Sequence, residues 1–244
     1  MQDPSLPTQF ERTDLLWPVT VFVAMRVWLW LVAAAAMLVT GFEPGETLVR
    51  RFYLGQEPVA GGLAGLLLGP WQRWDALWYT KIARWGYSPA DGSTNLFPLY
   101  PTLVGLAGRL LGGRYLLAAT LVSNLACLVL FVVFYRLVRL ETDSETARRS
   151  VLYLALFPTA FFFLAPYTES LTLAAITGSV LAARRRRWWP AGLLGLAGAL
   201  AKLPGALITL PLLWEWWHTQ TRRMRDVVAL WLPPAGALGF MVYR

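Results

Sequence analysis

Asp75 is the carboxylate in the run Trp71-Gln72-Arg73-Trp74-Asp75-Ala76-Leu77-Trp78-Tyr79, where it stands alone among four aromatic rings. A carboxylate in such apolar company has two readings. It can act as a general base, taking a proton from a hydroxyl within reach. It can also cap the surface helix that follows, since Asp is a favoured N-cap residue. Glu169, in Tyr167-Thr168-Glu169-Ser170, can orient a hydroxyl or a metal, or serve as a helix-cap partner in a turn. Lys202 precedes Leu203-Pro204-Gly205 inside an apolar run. Its ammonium can meet a lipid phosphate, snorkel, or pair with a buried carboxylate. Arg26, within the first apolar run, is either a carboxylate's partner or a second phosphate contact.

The spacing around Asp75 predicts a helix from Arg73 to Gly86. Asp75, Tyr79, Ile82 and Gly86 recur at three and four residues and share one face. Trp74, Trp78, Lys81 and Trp85 fall on a neighbouring face, where interfacial Trp rings and a snorkelling Lys would hold the helix parallel to a membrane. Tyr79, Trp74, Tyr167 and Asn95 are the candidate lining residues of the cavity that Asp75 would then face. Asn95 opens the aromatic turn Asn95-Leu96-Phe97-Pro98-Leu99-Tyr100-Pro101, which reads as mainly structural.

The elements that must carry these groups are apolar. The chain is 57% hydrophobic and 15% charged, with a mean hydropathy of +0.48, too apolar for one soluble core. An all-α integral membrane protein follows. The net charge of +8 comes from Arg clusters between apolar runs, a topology signal rather than a nucleic-acid surface. One cysteine, Cys127, excludes a disulfide and a cysteine metal site. A single histidine, His218, argues against a histidine-ligated metal, and no bound metal or cofactor is expected. The N-terminus lacks the pattern of a signal peptide, and no phosphate-binding glycine loop is present.

A membrane span needs about 20 apolar residues. Residues 18–41 and 114–138 meet this; 150–165, 170–183 and 226–243 are shorter candidates. Basic clusters at Arg136–Arg149, Arg184–Arg187 and Arg222–Arg225 belong inside by the positive-inside rule. Glu169 then lies at the outer side. The run 188–217 must cross twice, as two short helices meeting at Lys202–Gly205; such breaks are tolerated where they line a cavity. Residues 42–113 become a large first outer loop whose stretches 59–69 and 96–112 rest on or dip into the outer leaflet. The alternative, 96–112 as a full span, would place the later Arg clusters outside. The whole chain, 1–244, reads as one module of about seven spans: 18–41, the outer loop 42–113, and the spans within 114–243.

In order and spacing these pieces resemble the GPI mannosyltransferase 2 family and its bacterial relatives. Trp74-Asp75 followed by Tyr79, Ile82-Ala83 and Gly86-Tyr87 is similar to the family's first-loop motif. Phe97-Pro98-Leu99-Tyr100-Pro101 matches its aromatic-proline segment. Phe157-Pro158 through Phe161-Phe162-Phe163, with Tyr167-Thr168-Glu169-Ser170-Leu171, looks like its proline-aromatic span and the motif that ends it. Ala201-Lys202 with Gly205 is similar to its basic turn. The resemblance covers roughly residues 14–243.

The resemblance implies a type C glycosyltransferase module that uses a polyprenyl-phosphate mannose, or another hexose, as donor. It implies Asp75 as general base of an inverting transfer, Glu169 positioning the acceptor, and Lys202 with Arg26 at the donor phosphate. The acceptor is a glycolipid, a glycan or a protein. The expected location is the outer face of a bacterial plasma membrane, or the endoplasmic reticulum membrane in a eukaryote. Two departures stand out. The family position matching Lys202 is usually Arg, which weakens a bidentate phosphate clamp. Family members continue beyond the position of Arg244 with further spans, so a longer parent chain is expected. From the residues alone, a transporter or flippase of a lipid-linked substrate remains open, as broken helices and intramembrane charges occur there too. A non-catalytic membrane scaffold is the third reading.

Overall fold

The computed structural model describes residues 13–40, 45, 52–220 and 222–244; the expected loop start, 42–44 and 46–51, lies outside the described residues. Among the described residues every regular element is helical. The α-helices are α1 (Thr13–Thr40), α2 (Gly62–Leu68), α3 (Asp75–Trp85), α4 (Leu99–Leu110), α5 (Tyr115–Glu141), α6 (Ser144–Leu156), α7 (Glu169–Arg184), α8 (Trp188–Ala201), α9 (Thr209–Trp217), α10 (Met224–Leu230) and α11 (Leu232–Tyr243). Short 3₁₀ turns at Gly69–Trp71, Ser93–Asn95, Ala160–Phe163 and Leu203–Ile208 link them.

Two helices, α1 and α5, are long and apolar enough to cross a membrane, and α10 with α11 makes a third candidate, bent by 41°. The outward side chains Val23, Val27, Trp28, Leu31 and Leu38 of α1 are exposed, as expected where lipid replaces water as the neighbour. Of the other expected runs, 170–183 falls on α7 and 226–243 on α10 with α11, while 150–165 is broken. The run 150–165 resolves into α6, which stops at Leu156 before Phe157-Pro158, and the 3₁₀ turn at Ala160–Phe163. The physical reason is the proline: the residue before it is pushed out of the helical region, and Phe157 is extended at φ −60° and ψ 138°. The run 188–217 breaks where expected, with Lys202 extended between α8 and the Leu203–Ile208 turn.

The bundle has two polar ends. At one, Arg184 reaches Glu141 at 3.2 Å and Glu215 at 3.3 Å, tying the ends of α5, α7 and α9 on a single side. This is the side of the basic clusters. Trp17 Nε1 donates to the Arg148 carbonyl at 3.1 Å and brings the start of α1 to the same side. At the other end lie the starts of α3 and α7 and the end of α8. There α4 runs antiparallel to the first turns of α5, because Tyr100 meets Ala119 and Ser123 while Gly108 faces Tyr115. The segment 96–112 thus carries a helix of 12 residues packed antiparallel on α5.

Small residues let the short helices approach. A Cβ on Gly192 would overlap the Ala229 carbonyl of α10, and one on Gly205 would overlap the Gly198 carbonyl of α8. The Leu203–Ile208 turn therefore lies directly on the last turn of α8. That holds Lys202 in place, and the Gly205 amide donates back to the Lys202 carbonyl at 2.8 Å. Close backbone approach through Gly is the usual means of packing helices where water exclusion gives little driving force.

Gly205→Ala forces a methyl into backbone, so thermal unfolding in detergent should show a loss of about 1–3 kcal/mol. Gly239→Ala, where a Cβ meets open space within α11, should be neutral or slightly stabilising.

Candidate active site

The site starts from a buried hydroxyl network. Tyr100 Oη bonds the Ser123 hydroxyl at 2.7 Å, Ser123 Oγ donates to the Tyr167 carbonyl at 3.0 Å, and Ser170 Oγ donates to the Ser123 carbonyl at 3.1 Å. Tyr100, Ser123 and Ser170 are fully buried. Such groups are costly without partners and directional with them. The network seats the turn Tyr167-Thr168 on α5 and so positions Glu169, the first residue of α7. Tyr167 Oη then donates to the Arg73 carbonyl at 3.2 Å, so this turn also holds the segment that enters α3.

α3 is fixed from below and from the side. Tyr79 packs edge-on to Tyr100, with ring centroids 4.9 Å apart, and its hydroxyl lies 3.4 Å from Thr168 Oγ1. Gln72 accepts from the Val59 amide at 2.7 Å and donates to the Glu57 carbonyl at 3.0 Å. Gln56 donates to the Leu77 carbonyl at 2.7 Å and accepts from Thr80 at 2.8 Å. Gly86, at φ +84°, ends the helix, and its amide closes on Ile82 at 2.8 Å. At the start, Trp74 adopts φ +44°, a conformation that non-glycine residues rarely take and that costs about 1–3 kcal/mol.

Asp75 follows this strained residue as the first residue of α3. It does not cap the helix: Trp74 occupies the N-cap position and no side chain caps the amides. The Asp75 side chain is exposed and makes no hydrogen bond or ion pair among the described residues. Its carboxyl is raised above the usual carboxylate value. Crowding by protein is the main cause, the Glu169 charge adds to it, and Lys202 works against both. The Tyr167–Arg73 and Tyr79–Thr168 contacts bring the start of α3, with Asp75, against the start of α7, where Glu169 pairs with Lys202.

Lys202 Nζ donates to Glu169 Oε1 at 2.7 Å, so of its three sequence readings the carboxylate pairing is the one the structure displays. Glu169 Oε2 is buried with no hydrogen-bond partner. The cluster holds two carboxylates and one ammonium, leaving an exposed base beside an acceptor that awaits a donor. That suits a hydroxyl-bearing substrate: one oxygen can be oriented while another group takes a proton.

The remaining expected residues divide. Tyr79 and Tyr167 are buried in the walls just described. Their hydroxyls are pushed above the ordinary tyrosine value, chiefly by burial, and stay protonated donors. Trp74 is exposed rather than lining a cavity, with its backbone at φ +44° before α3 begins. Asn95 ends the Ser93–Asn95 turn, exposed and without a hydrogen bond to the cluster. Lys81 does not snorkel: it pairs with Asp91 at 2.6 Å and closes the loop after α3. Arg26 is buried away from the carboxylates, donating to the Leu164 carbonyl at 3.3 Å. Ser123, Gln56 and Gln72 escaped sequence reasoning. Their one signal is polarity inside an apolar stretch, which does not reveal the partner.

A carboxyl raised in the folded state binds protons more readily there than in the unfolded chain. Its ionisation therefore lowers stability as pH rises past the ordinary value near 3.8. Asp75→Asn removes that penalty. Its unfolding temperature should equal or exceed wild type near pH 7, with the difference vanishing toward about pH 4.

No family model matches this chain, and no curated protein or solved structure matches it, so the site stands on its own geometry.

Proposed function

We propose that the chain is a membrane glycosyltransferase that moves a hexose, mannose by resemblance, from a polyprenyl-phosphate donor to an acceptor hydroxyl at the outer membrane face. The observation that carries the reading is the convergence of Asp75 with the Glu169–Lys202 pair at one end of the helical bundle. All three residues lie in the segments on which the family resemblance rests. In this reading α1, α5, α6 with the Ala160–Phe163 turn, α7, α8, α9 and the α10–α11 pair make the seven crossings that the resemblance implies.

Asp75 takes the proton of the acceptor hydroxyl, and the acceptor oxygen attacks the anomeric carbon from the face opposite the phosphate. The bond from the anomeric carbon to the phosphate oxygen breaks. Its electron pair leaves with the polyprenyl phosphate, and the anomeric configuration inverts. The raised carboxyl value makes Asp75 a better proton acceptor than an ordinary surface aspartate. Glu169, held by Lys202, offers its free oxygen to a donor hydroxyl of the acceptor. Lys202 acts through Glu169, which revises its expected place at the phosphate.

A transporter of a lipid-linked substrate would use the same break at Lys202 without needing a base at Asp75, and the two readings separate at that residue. Membranes carrying the protein are assayed for sugar transfer from radiolabelled polyprenyl-phosphate mannose. Asp75→Asn should lose at least about a hundredfold in rate, at normal protein level. Unchanged transfer would remove Asp75 from the mechanism.

A further inference from the structure

A second site lies at the end of the bundle away from Asp75, where α8 and α10 begin side by side. The helices run parallel: a Cβ on Gly192 would meet Ala229, and one on Gly195 would meet Pro233. Their starts enclose a cavity of about 420 Å³. Arg186 and Arg187 line it from the turn before α8, and Arg223 and Arg225 from the start of α10.

Four guanidinium groups thus share one cavity with a single carboxylate among the described residues, Asp226, which is 7% exposed. None of the four arginines makes an ion pair or a side-chain hydrogen bond among the described residues. Arg184 differs, since it holds two glutamates. The positive charge is also crowded. Arg185 is held below the usual guanidinium value by burial first, and then by the charges of Arg136 and Arg187. Like charges gathered without counter-ions disfavour the compact state, and an anion relieves them.

A backbone cost accompanies the charge. At the end of α7 the Arg186 amide closes on the Ala183 carbonyl at 2.7 Å and the Arg187 amide on the Ala182 carbonyl at 2.9 Å. This turn puts Arg186 at φ +57°, the left-handed position that glycine usually fills at such helix ends. An arginine there is strained, and strain of this kind persists where the side chain is needed.

The walls of the cavity continue as apolar rows. Trp189 and Leu193 on α8, and Met224, Val228 and Trp231 along α10 and its end, are exposed at spacings of three and four residues. Such rows suit acyl chains, and Trp189 lines the cavity itself, as a ring at headgroup level would.

We propose that this cavity binds the headgroup of a phospholipid with two phosphates, cardiolipin, from the leaflet at the basic end of the bundle. Four arginines against one carboxylate leave three positive charges; two phosphates answer two of them, and a single phosphate only one. The apolar rows accept the acyl chains, which a soluble diphosphate lacks. Basic pockets between membrane helices are suited to such headgroups. The proposal does not rest on the transferase reading.

The test is calorimetric titration of the purified protein in detergent with cardiolipin in mixed micelles. Saturable binding is expected, weakened at least about tenfold in Arg223→Gln, since a charge-assisted hydrogen bond contributes that much. Arg186→Gly should weaken binding similarly, yet unfold at no lower temperature without lipid, because glycine relieves the left-handed strain. It decides the case if Arg223→Gln does not fold. Arg149→Gln, at the same end but paired with Glu145 outside the cavity, should bind as wild type does. Phosphatidylglycerol and inorganic diphosphate should each bind at least about tenfold more weakly than cardiolipin. Absence of saturable binding overturns the proposal, as does undiminished binding by folded Arg223→Gln or by Arg186→Gly. So does an equal loss in Arg149→Gln, or equal binding of phosphatidylglycerol or inorganic diphosphate.

Discussion

The hydroxyl of Ser123 is the point on which the site depends. In the middle of an apolar helix it joins Tyr100 on one side to the carbonyl of Tyr167 on the other, while its own carbonyl holds Ser170. Apolar side chains pack without strong preference for one register, so helices rich in Leu and Ala can slide or rotate at small cost. A buried hydrogen-bond network has one geometry in which all its members are satisfied. Here it fixes α4 and the start of α7 to α5. Through Tyr167 and Tyr79 it also fixes the start of α3, and hence the two carboxylates.

Around that anchor the chain is built from short helices. Prolines at 158 and 204 stop helices, and glycines at 192 and 205 allow the ends to nest backbone against backbone. The result is a break at Lys202 whose extended backbone would be costly in lipid but is covered by its own turn. Arg184 with its two glutamates marks one end of the bundle and Glu169 with Lys202 the other, while Arg26 lies beside its tryptophans.

The site carries two costs in stability. Trp74 holds an unfavourable backbone angle, and the carboxyl of Asp75 directly after it is raised by the protein around it and by Glu169. Neither helps the fold. Strain and raised carboxyl values at adjacent residues are what a functional site retains, because removing either would stabilise the chain and lose the arrangement.

Hydropathy and charge spacing were enough to read a helical membrane chain, the start of the α3 helix, the break at Lys202 and the common side of the basic clusters. Each of these depends on a local quantity: the apolar length of a run, a proline or glycine at a known place, the free energy of moving a charge. Asp75, Glu169 and Lys202 were legible as unusual residues for the same reason, since charge in apolar surroundings stands out. Their partners were not. Whether Lys202 meets a phosphate or Glu169, whether Arg26 joins the cluster or lies apart from it, and whether Trp74 faces in or out depend on contacts between segments up to 138 residues apart. Those contacts are set by side-chain packing and hydrogen-bond geometry between helices, quantities that no local pattern contains, and so only the tertiary structure decided them.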